Sequence, residues 1–416
     1  MTLHITVYGL FDIPCGLQVA ARNSADMLER CGHDVRRAAV ALNGSLAHFT
    51  DERSCSDINL FHVNPEYVYM ILSRNASGPL AIRESLNVCV PFWELPVLPG
   101  KWRPVLSAMD LVLAPTQFIR DAVHRTDPGL QVAHYPQAVR LPTGIVADRS
   151  AFEIPAGTTA FVFSLTVQSV VSRKNPTAAI QAFQRAFPKE REDVLLLLRI
   201  HSTGDNAPCR AVVESLRQDA TGDGRIRFVK GTMSYTEVLS LYASADVYIS
   251  LHRSEGLGLG PMEAMALGKP VIATGWSGNM DFMTGENSAP IGYHLVPVDI
   301  LRSSAYGERR LRSAACWAEP DLDEAARAMR SLADDPQLRA RLGAKAREDM
   351  GTRLIAFEQG QIVSVLERAL AGMLSDRELH ARIARWRRLQ ARALYLRWFR
   401  RPAAKAVRTF MPRKLS

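Results

Sequence analysis

The sequence has no long apolar run, no closely paired cysteines and no complete dinucleotide fingerprint. A membrane-spanning helix needs about 18 uncharged apolar residues, and no stretch approaches that length. The chain enters a strand-like alternation directly after Met1, so we expect no secretory signal. Its cysteines are scattered without a CxxC pair, which argues against a disulfide framework or a structural zinc site and fits a reducing cytoplasm. They are Cys15, Cys31, Cys55, Cys89, Cys209 and Cys316.

The chain is basic only near its end. Residues 377–416 contain 13 Lys or Arg against one Glu, out of 51 Lys or Arg and 42 Asp or Glu in all 416 residues. The rest of the chain is therefore slightly acidic, and no nucleic-acid partner is expected. The hydrophobic content of 47% and charged content of 22% are typical of a globular protein. The length suits two domains of ordinary size.

The rest of the chain is organised around residues 254–263, Ser-Glu-Gly-Leu-Gly-Leu-Gly-Pro-Met-Glu. Residues 245–251 before it form a mostly apolar run that is typical of a buried parallel strand. Pro261 favours a first helical position, and Gly268 favours a helix end. A strand, a glycine-rich loop and a helix N-terminus in this order predict an anion site, because backbone N–H groups and the helix dipole attract a pyrophosphate.

Two carboxylates, Glu255 and Glu263, frame this predicted anion site. A phosphate repels carboxylates, so we expect them to accept protons from ribose and sugar hydroxyls. The alternative for Glu263 is that it caps its own helix, since a Glu at about the third helical position commonly does so. A dehydrogenase of the Rossmann type is disfavoured, because Pro261 follows Gly256 and Gly258 where a third glycine belongs.

The spacing and context of the two carboxylates resemble the E-x7-E signature of family-4 retaining glycosyltransferases. They lie eight residues apart and are followed by Ala-Met-Ala-Leu-Gly-Lys-Pro-Val-Ile-Ala-Thr, and the resemblance covers most of residues 155–345. It implies an α/β GT-B fold, with two Rossmann-like doubly wound domains that face each other across a cleft. It also implies that Glu255 binds donor-sugar hydroxyls, that Glu263 binds the ribose, and that residues 256–258 (Gly256, Leu257 and Gly258) bind the diphosphate.

The resemblance extends to a basic segment and to a second loop of the same domain. Lys174 matches the family lysine that neutralises the diphosphate, and Arg173 precedes it; the alternative is a solvated basic pair. Gln168 stands where many relatives carry a further arginine, which Arg173 or Arg253 would have to replace. The donor-site loop is represented by Ser277 and Asn279, and residues 225–230 would flank the base.

The expected sites in the N-terminal domain rest on weaker patterns. A loop from Gly9 to Gly16 follows the first strand, where parallel sheets bind ligands, so Gly16 is a donor-contact candidate; the alternative is a plain connecting loop. His62 is a catalytic candidate near a strand end, although Asn64 stands where many relatives carry the important histidine. An acceptor role is expected for Asn64 and for residues 93 and 94 (Trp93 and Glu94). A structural histidine and a packed tryptophan are the alternatives.

Four segments follow from these patterns. They are an acceptor domain at 1–150, a donor domain at 155–350, a crossover helix at 351–375 and a basic tail at 376–416. In the tail, apolar residues recur on one helical face between arginines, which favours contact with an anionic membrane surface over a solvated or nucleic-acid-binding arm. These apolar residues are Ile383, Trp386, Leu389, Ala393 and Leu396.

The expected function is transfer of a sugar from a nucleotide diphosphate sugar, with GDP favoured over UDP and mannose favoured weakly. The acceptor is expected to be a glycan, most simply a lipid-linked one in surface polysaccharide assembly, handled on the cytoplasmic face of the membrane. No cofactor and no metal are expected, because Asp321 and Asp323 of a D-x-D sequence open an apolar-periodic helix. The alternatives are a GT-B nucleotide-sugar 2-epimerase and an inactive sugar-nucleotide or membrane adaptor.

Overall fold

The structure, a computed structural model, describes most of the chain. It covers residues 2–42, 44–47, 56–74, 85–167, 170–201, 207–229, 231, 233–298, 315–373, 384–389 and 391–392. The chain divides into two compact units. The first combines Met1–Val139 with the described part of Arg353–Met411, and the second comprises Arg140–Thr352.

The first unit is built on a seven-stranded sheet in the order β3-β2-β1-β4-β5-β6-β7. All neighbouring strands pair in parallel except β2 and β3. The order reverses direction at β1, so the carboxyl ends of β1 and β4 form a topological switch point. The strands are β1 (His4–Gly9), β2 (Asp34–Val40), β3 (Leu46–Ala47), β4 (Ile58–Phe61), β5 (Leu86–Cys89), β6 (Leu111–Ala114) and β7 (Val132–His134).

Helices connect these strands and bury one face each. Helix α1 buries Ala21, Ala25 and Leu28 at helical spacing, and Thr116 caps α4 by accepting the Ile119 N–H. A later helix returns to the same core, where Ile362 and Leu366 pack with β1 and β4. The helices of this unit are α1 (Gly16–Arg30), α2 (Pro65–Arg74), α3 (Arg103–Leu106) and α4 (Gln117–Thr126), with the late helix at Gln361–Gly372.

The second unit contains a six-stranded, fully parallel sheet in the order β10-β9-β8-β11-β12-β13. Its central strands read as continuous apolar runs because both faces are covered. The switch point here lies between β8 and β11. The strands are β8 (Thr159–Thr166), β9 (Val194–His201), β10 (Ile226–Val229), β11 (Val247–Ser250), β12 (Val271–Thr274) and β13 (Ala289–Ile291). An antiparallel ribbon adds β14 (Tyr293–Pro297) and β15 (Cys316–Pro320).

The connecting helices of this unit begin and end with recognisable caps. Ser234 and Glu237 form a capping box at one helix start, and Asp321 accepts two N–H groups at another. Asp321 and Asp323 are therefore helix-start residues, as their sequence context predicts. The helices are α5 (Val171–Lys174), α6 (Pro176–Ala186), α7 (Ala207–Asp219), α8 (Tyr235–Ser244), α9 (Leu259–Ala266), α10 (Leu322–Asp334) and α11 (Pro336–Glu358). Residues 353–358 at the end of α11 already belong to the first unit, whose late helix is α12.

The described part of the basic tail is not a free amphipathic face. Trp386 and Leu389 are 4% and 3% exposed, and the Trp386 ring lies 6.4 Å from that of Phe61 in the first unit. This corrects the expectation that both residues face a membrane, because they are already packed against protein. Ile383, Ala393 and Leu396 lie outside the described residues. Within the described part of the chain, no helix is long and apolar enough to cross a membrane.

Candidate functional site

The glycine-rich loop of the second unit lies between β11 and α9, at the switch point of the sheet. Gly258 caps α9 with a φ of +85°, a conformation that side chains rarely adopt. A Cβ on Gly258 would lie 3.0 Å from the Asn279 Cβ, and one on Gly278 would clash with the Gly256 carbonyl. The loop after β12 therefore packs directly onto the glycine-rich loop, and glycine is required on both sides of the contact.

Hydrogen bonds hold the two loops together. The Glu255 N–H donates to Ser277 Oγ over 2.8 Å, and the Gly278 N–H donates to the Glu255 carbonyl over 2.9 Å. Ser277 adopts a φ of +78°, which is strained for a residue with a side chain and is held by these contacts. Ser277 thus positions the Glu255 backbone, a role that complements the predicted donor contact.

Buried polar side chains hold the two loops in place through hydrogen bonds. His252 is fully buried, and its ring nitrogens lie 3.0 Å from Ser250 Oγ and 3.0 Å from Asn279 Oδ1. Burial lowers the pKa of His252, so a neutral ring is favoured. The Asn279 amide donates to the Thr274 carbonyl over 3.0 Å. Asn279 is therefore committed to internal bonds, and the sequence reasoning missed its partner His252.

Glu255 is the centre of a buried ion-pair cluster. Its Oε1 lies 2.5 Å from Lys174 Nζ and 3.2 Å from an Arg173 guanidinium nitrogen. Arg173 also donates to the Ser254 carbonyl over 2.7 Å. Burial alone raises the pKa of Glu255, but Lys174 and Arg173 outweigh it and lower that pKa to about 2. The structure thus brings together three of the four residues that the sequence predicts as catalytic, Glu255, Lys174 and Arg173.

Glu263 lies nearby on α9 in a different environment. Helix α9 begins at Leu259 and not at Pro261, so Glu263 is the fifth helical residue and does not cap the helix. Its Oε1 accepts a hydrogen bond from the Tyr235 hydroxyl over 2.8 Å. Burial raises the pKa of Glu263 to about 7, although Tyr235 opposes this shift. Tyr235 could not be predicted as a partner of Glu263, because the two residues lie on different helices, 28 residues apart along the chain.

Arg253, a candidate to replace the family arginine, is already paired within the unit. Its guanidinium forms two bonds with the Glu319 carboxylate, at 2.6 Å and 2.9 Å, and donates to the Ser172 carbonyl over 2.5 Å. It also lies over the Trp317 ring at 5.5 Å. Arg253 therefore joins the glycine-rich loop to β15 and α5. Gln168 lies outside the described residues.

The candidates of the first unit are mostly packed. His62 is fully buried, its Nε2 lies 3.1 Å from Ser24 Oγ, and burial lowers its pKa to about 4. Asn64 accepts the Phe92 N–H over 2.8 Å. Trp93 is 7% exposed, and its ring packs 4.9 Å from that of Trp102. These contacts favour the structural alternatives for His62, Asn64 and Trp93 over a direct contact with substrate.

Two further candidates of this unit are accessible. Gly16 is an exposed first residue of α1, whose cap Cys15 makes no side-chain bond to the helix. Glu94 is half-buried within the proline-broken segment that follows β5. The roles of both residues stay predictions.

The second unit matches a known family. Residues 153–306 match the family described as glycosyl transferases group 1. Sucrose-phosphate synthase from Thermosynechococcus elongatus superimposes with a TM-score of 0.63 at 15% identity, covering 88% of this chain and 99% of that one. HepE from Anabaena, solved with UDP and glucose, gives 0.59 at 15% identity, covering 88% and 100%. The α,α-trehalose 6-phosphate synthase from Burkholderia multivorans gives 0.59 at 14% identity, covering 90% and 100%.

The fold expected from the E-x7-E resemblance is confirmed: the chain has the GT-B fold. The matched segment lies in the second unit and contains the whole cluster around Glu255, which supports a glycosyltransferase. A search among curated proteins gave no match to the chain. The family-4 assignment, the retaining mechanism and the substrates stay predictions.

Proposed function

We propose that the protein transfers a sugar, with retention of configuration, from a nucleotide diphosphate sugar to a glycan acceptor. The observation that carries this proposal is the cluster of Lys174, Arg173 and Glu255 beside the N-terminus of α9. It combines two cations with a helix N-terminus at the switch point of a parallel sheet, where open α/β sheets bind ligands.

The leaving diphosphate gains negative charge as the glycosidic bond breaks. Groups fixed in advance near the developing charge stabilise such a transition state without reorganising. Glu255 holds Lys174 and Arg173 in place before substrate arrives. The diphosphate then shares Lys174, while Glu255 accepts hydrogen bonds from donor-sugar hydroxyls. No side-chain nucleophile is assigned; the acceptor attacks on the face from which the phosphate leaves, as the resemblance implies.

Glu263 is the proposed ribose ligand. A ribose presents two neighbouring hydroxyls, and an ionised carboxylate accepts both of their hydrogen bonds. Tyr235 already donates to Oε1 of Glu263, so the carboxylate is oriented before the nucleotide arrives. Binding of the nucleotide therefore favours the ionised form of Glu263.

Two observations point to different bases for the donor nucleotide. The sequence resemblance favours GDP and weakly favours mannose, whereas HepE was solved with UDP and glucose, and an Escherichia coli trehalose-6-phosphate protein with UDP-2-fluoro glucose. We propose a nucleotide diphosphate sugar as the donor, and the base is to be identified by measuring nucleotide binding. A thermal-shift screen of GDP, UDP, ADP and TDP, with and without EDTA, does so directly.

The decisive experiment compares variants of the cluster with a distant matched lysine. Lys174→Ala should abolish the shift caused by the preferred diphosphate, whereas Lys189→Ala, an exposed lysine of the same unit, should retain it. Glu263→Gln should weaken nucleotide binding, and Glu255→Gln should spare it but reduce sugar transfer. A shift that survives in Lys174→Ala and Glu263→Gln would place the nucleotide elsewhere. Product analysis with donor alone separates transfer from 2-epimerisation.

We further propose that the acceptor is lipid-linked and that the protein lies on the cytoplasmic face of an anionic membrane. Because Trp386 and Leu389 are packed in the first unit, the proposal now rests on charge. Residues 393–416 contain seven Lys or Arg and no Asp or Glu. Truncation after Arg392 keeps the packed tryptophan and should reduce binding to anionic vesicles. Vesicle binding that is unchanged by this truncation and by added salt would contradict the proposed membrane association.

A further inference from the structure

A cavity in the same unit borders the glycine-rich loop at Arg253 but extends away from Glu255 towards α6, α7 and α10. It has a volume of about 410 Å³ and is bordered by α5, the first turns of α6, the middle of α7 and the start of α10. The Arg253–Glu319 pair closes one side. Its size lies within the ~300–1,000 Å³ range of small-molecule sites.

This cavity is distinct from the proposed donor site. Helix α6 carries the chain from β8 to β9, whereas α9 carries it from β11 to β12, in the opposite direction along the sheet. Right-handed crossovers that run in opposite directions place their helices on opposite faces. None of Lys174, Glu255 and Glu263 lines the cavity.

Asn175 gives the cavity an unused hydrogen-bond donor. The residue is 5% exposed and lines the cavity, and its Nδ2 has no hydrogen-bond partner among the residues that the structure describes. It links α5 to α6 with a φ of +52°, in the left-handed region. A buried amide without a partner lowers stability, and so does a left-handed non-glycine residue. A bound molecule that accepts a hydrogen bond would satisfy the amide.

The remaining walls indicate the chemistry of that molecule. The Arg253 guanidinium is neutralised by Glu319, so the wall offers donors and acceptors without net charge. The Glu319 carboxylate would repel an anion, and the Arg253 guanidinium would repel a cation. Apolar side chains, among them Val212, Leu216 and Leu322, share the rest of the lining with the polar side chains of Ser172, Thr177, Gln181 and Ser215. Hydroxyl groups suit such a site, because each hydroxyl both donates and accepts.

We propose that this cavity binds an uncharged, hydroxyl-rich molecule of monosaccharide to disaccharide size. Its hydroxyls would accept from the Asn175 amide and donate to Glu319, while its C–H faces would pack on the apolar wall. The site is independent of the donor nucleotide and of the transfer reaction.

The test is direct binding of neutral sugars to the full-length protein, measured by saturation-transfer NMR and calorimetry. Glucose, mannose, galactose, maltose and sucrose are the probes, and inorganic phosphate is the charged comparison. Ser215→Trp fills the cavity from its rim and should weaken binding of the preferred sugar at least ~10-fold. Gln218→Trp, an exposed residue on the same helix that does not line the cavity, should leave it unchanged.

A second variant tests the amide itself. Asn175→Gly keeps a residue that tolerates the left-handed conformation but removes the donor, so affinity should fall while the fold, followed by circular dichroism, is retained. Sugar binding that persists in Ser215→Trp but disappears in Glu255→Gln would place the sugar in the donor site and overturn the proposal. Absence of binding by all five sugars, or tighter binding of phosphate, would overturn it as well. Loss of nucleotide binding would leave it intact.

Discussion

The carboxyl ends of β4 and β11 occupy equivalent places in two doubly wound sheets but hold very different chemistry. After β4, His62 is fully buried on Ser24, and Asn64 holds the Phe92 N–H. After β11, Glu255 is buried with two cations, and a glycine cap opens α9. The same topology thus provides an internal polar network in one unit and a concentrated charge cluster in the other.

The difference teaches that a polar residue at a strand end is a functional candidate only if its bonds can be exchanged for those of a ligand. Two neutral groups that hydrogen-bond to each other lose more free energy than they gain when they separate to bind a substrate. A cation paired with a carboxylate keeps a strong alternative partner, the diphosphate. Each prediction below tests this contrast, from the largest expected effect to the smallest.

The largest effect is expected for Lys174→Ala. Loss of a preorganised cation at the leaving group should reduce kcat about 10²–10³-fold, the range found when one such electrostatic group is removed. Initial rates with the donor selected by the thermal-shift screen measure it. Lys189→Ala serves as the matched control. A change in KM without a change in kcat would show that Lys174 binds ground state and transition state equally.

A smaller effect, of a different kind, is expected for His62→Ala in the first unit. Truncation removes a hydrogen-bond partner of Ser24. The Ser24 Oγ also lies 3.0 Å from the Tyr135 hydroxyl, so the change disrupts a network of three side chains. Stability should fall by about 1–3 kcal/mol while kcat stays within a few-fold of the wild-type value. Urea unfolding and initial rates are the two readouts. A large loss of kcat with unchanged stability would restore His62 as a catalytic residue.

Much of this architecture is readable from the sequence. The buried strand predicted within residues 245–251 and the helix predicted to open at Asp321 lie where the apolar pattern and the capping signal place them, as β11 and α10. The glycine-rich loop can be predicted because its backbone conformation requires glycine at special positions. Local rules sufficed for these elements because the determining contacts lie within a few residues.

The errors have a common physical cause. Pro261 predicts a helix start, but Gly258 in a left-handed conformation begins α9 earlier, so the capping interpretation of Glu263 fails. Tyr235 and His252 are not predicted from the sequence, because the order of the strands in the sheet brings each of them next to a partner that is distant along the chain. The amphipathic spacing around Trp386 predicts a membrane-facing helix, but the Trp386 ring packs on Phe61. An apolar stripe specifies burial, not what buries it.

Tyr235→Phe should have a moderate effect. The variant removes the donor to Glu263 without changing the ring, so the carboxylate loses its orientation and becomes harder to ionise. Nucleotide affinity should weaken about threefold to tenfold, measured by calorimetry. Tyr135→Phe makes the equivalent change in the first unit and should leave nucleotide affinity unchanged. Equal losses in both variants would indicate a general effect of destabilisation.

The smallest effect is the pH dependence of stability, where Glu255 and Glu263 should differ in sign. The pKa of Glu263 is raised to about 7, so its stabilising contribution is complete below the ordinary value of 4.5 and disappears as the pH rises through 7. The pKa of Glu255 is lowered to about 2, so its contribution is present above 4.5 and is lost only as the pH falls towards 2.

Glu263→Gln therefore removes a pH dependence that Glu255→Gln leaves in place. Relative to wild type, the Tm of Glu263→Gln should rise between about pH 5 and about pH 8, because only the wild-type protein must ionise a buried carboxylate there. The Tm difference for Glu255→Gln should stay flat over that range, since Glu255 is ionised throughout. Nucleotide affinity of the wild type should increase over the same interval, because ionised Glu263 accepts the ribose hydroxyls. A flat difference for Glu263→Gln would mean that Tyr235 and the neighbouring cations compensate fully for its burial, and the contrast between the two carboxylates would then rest on Glu255 alone.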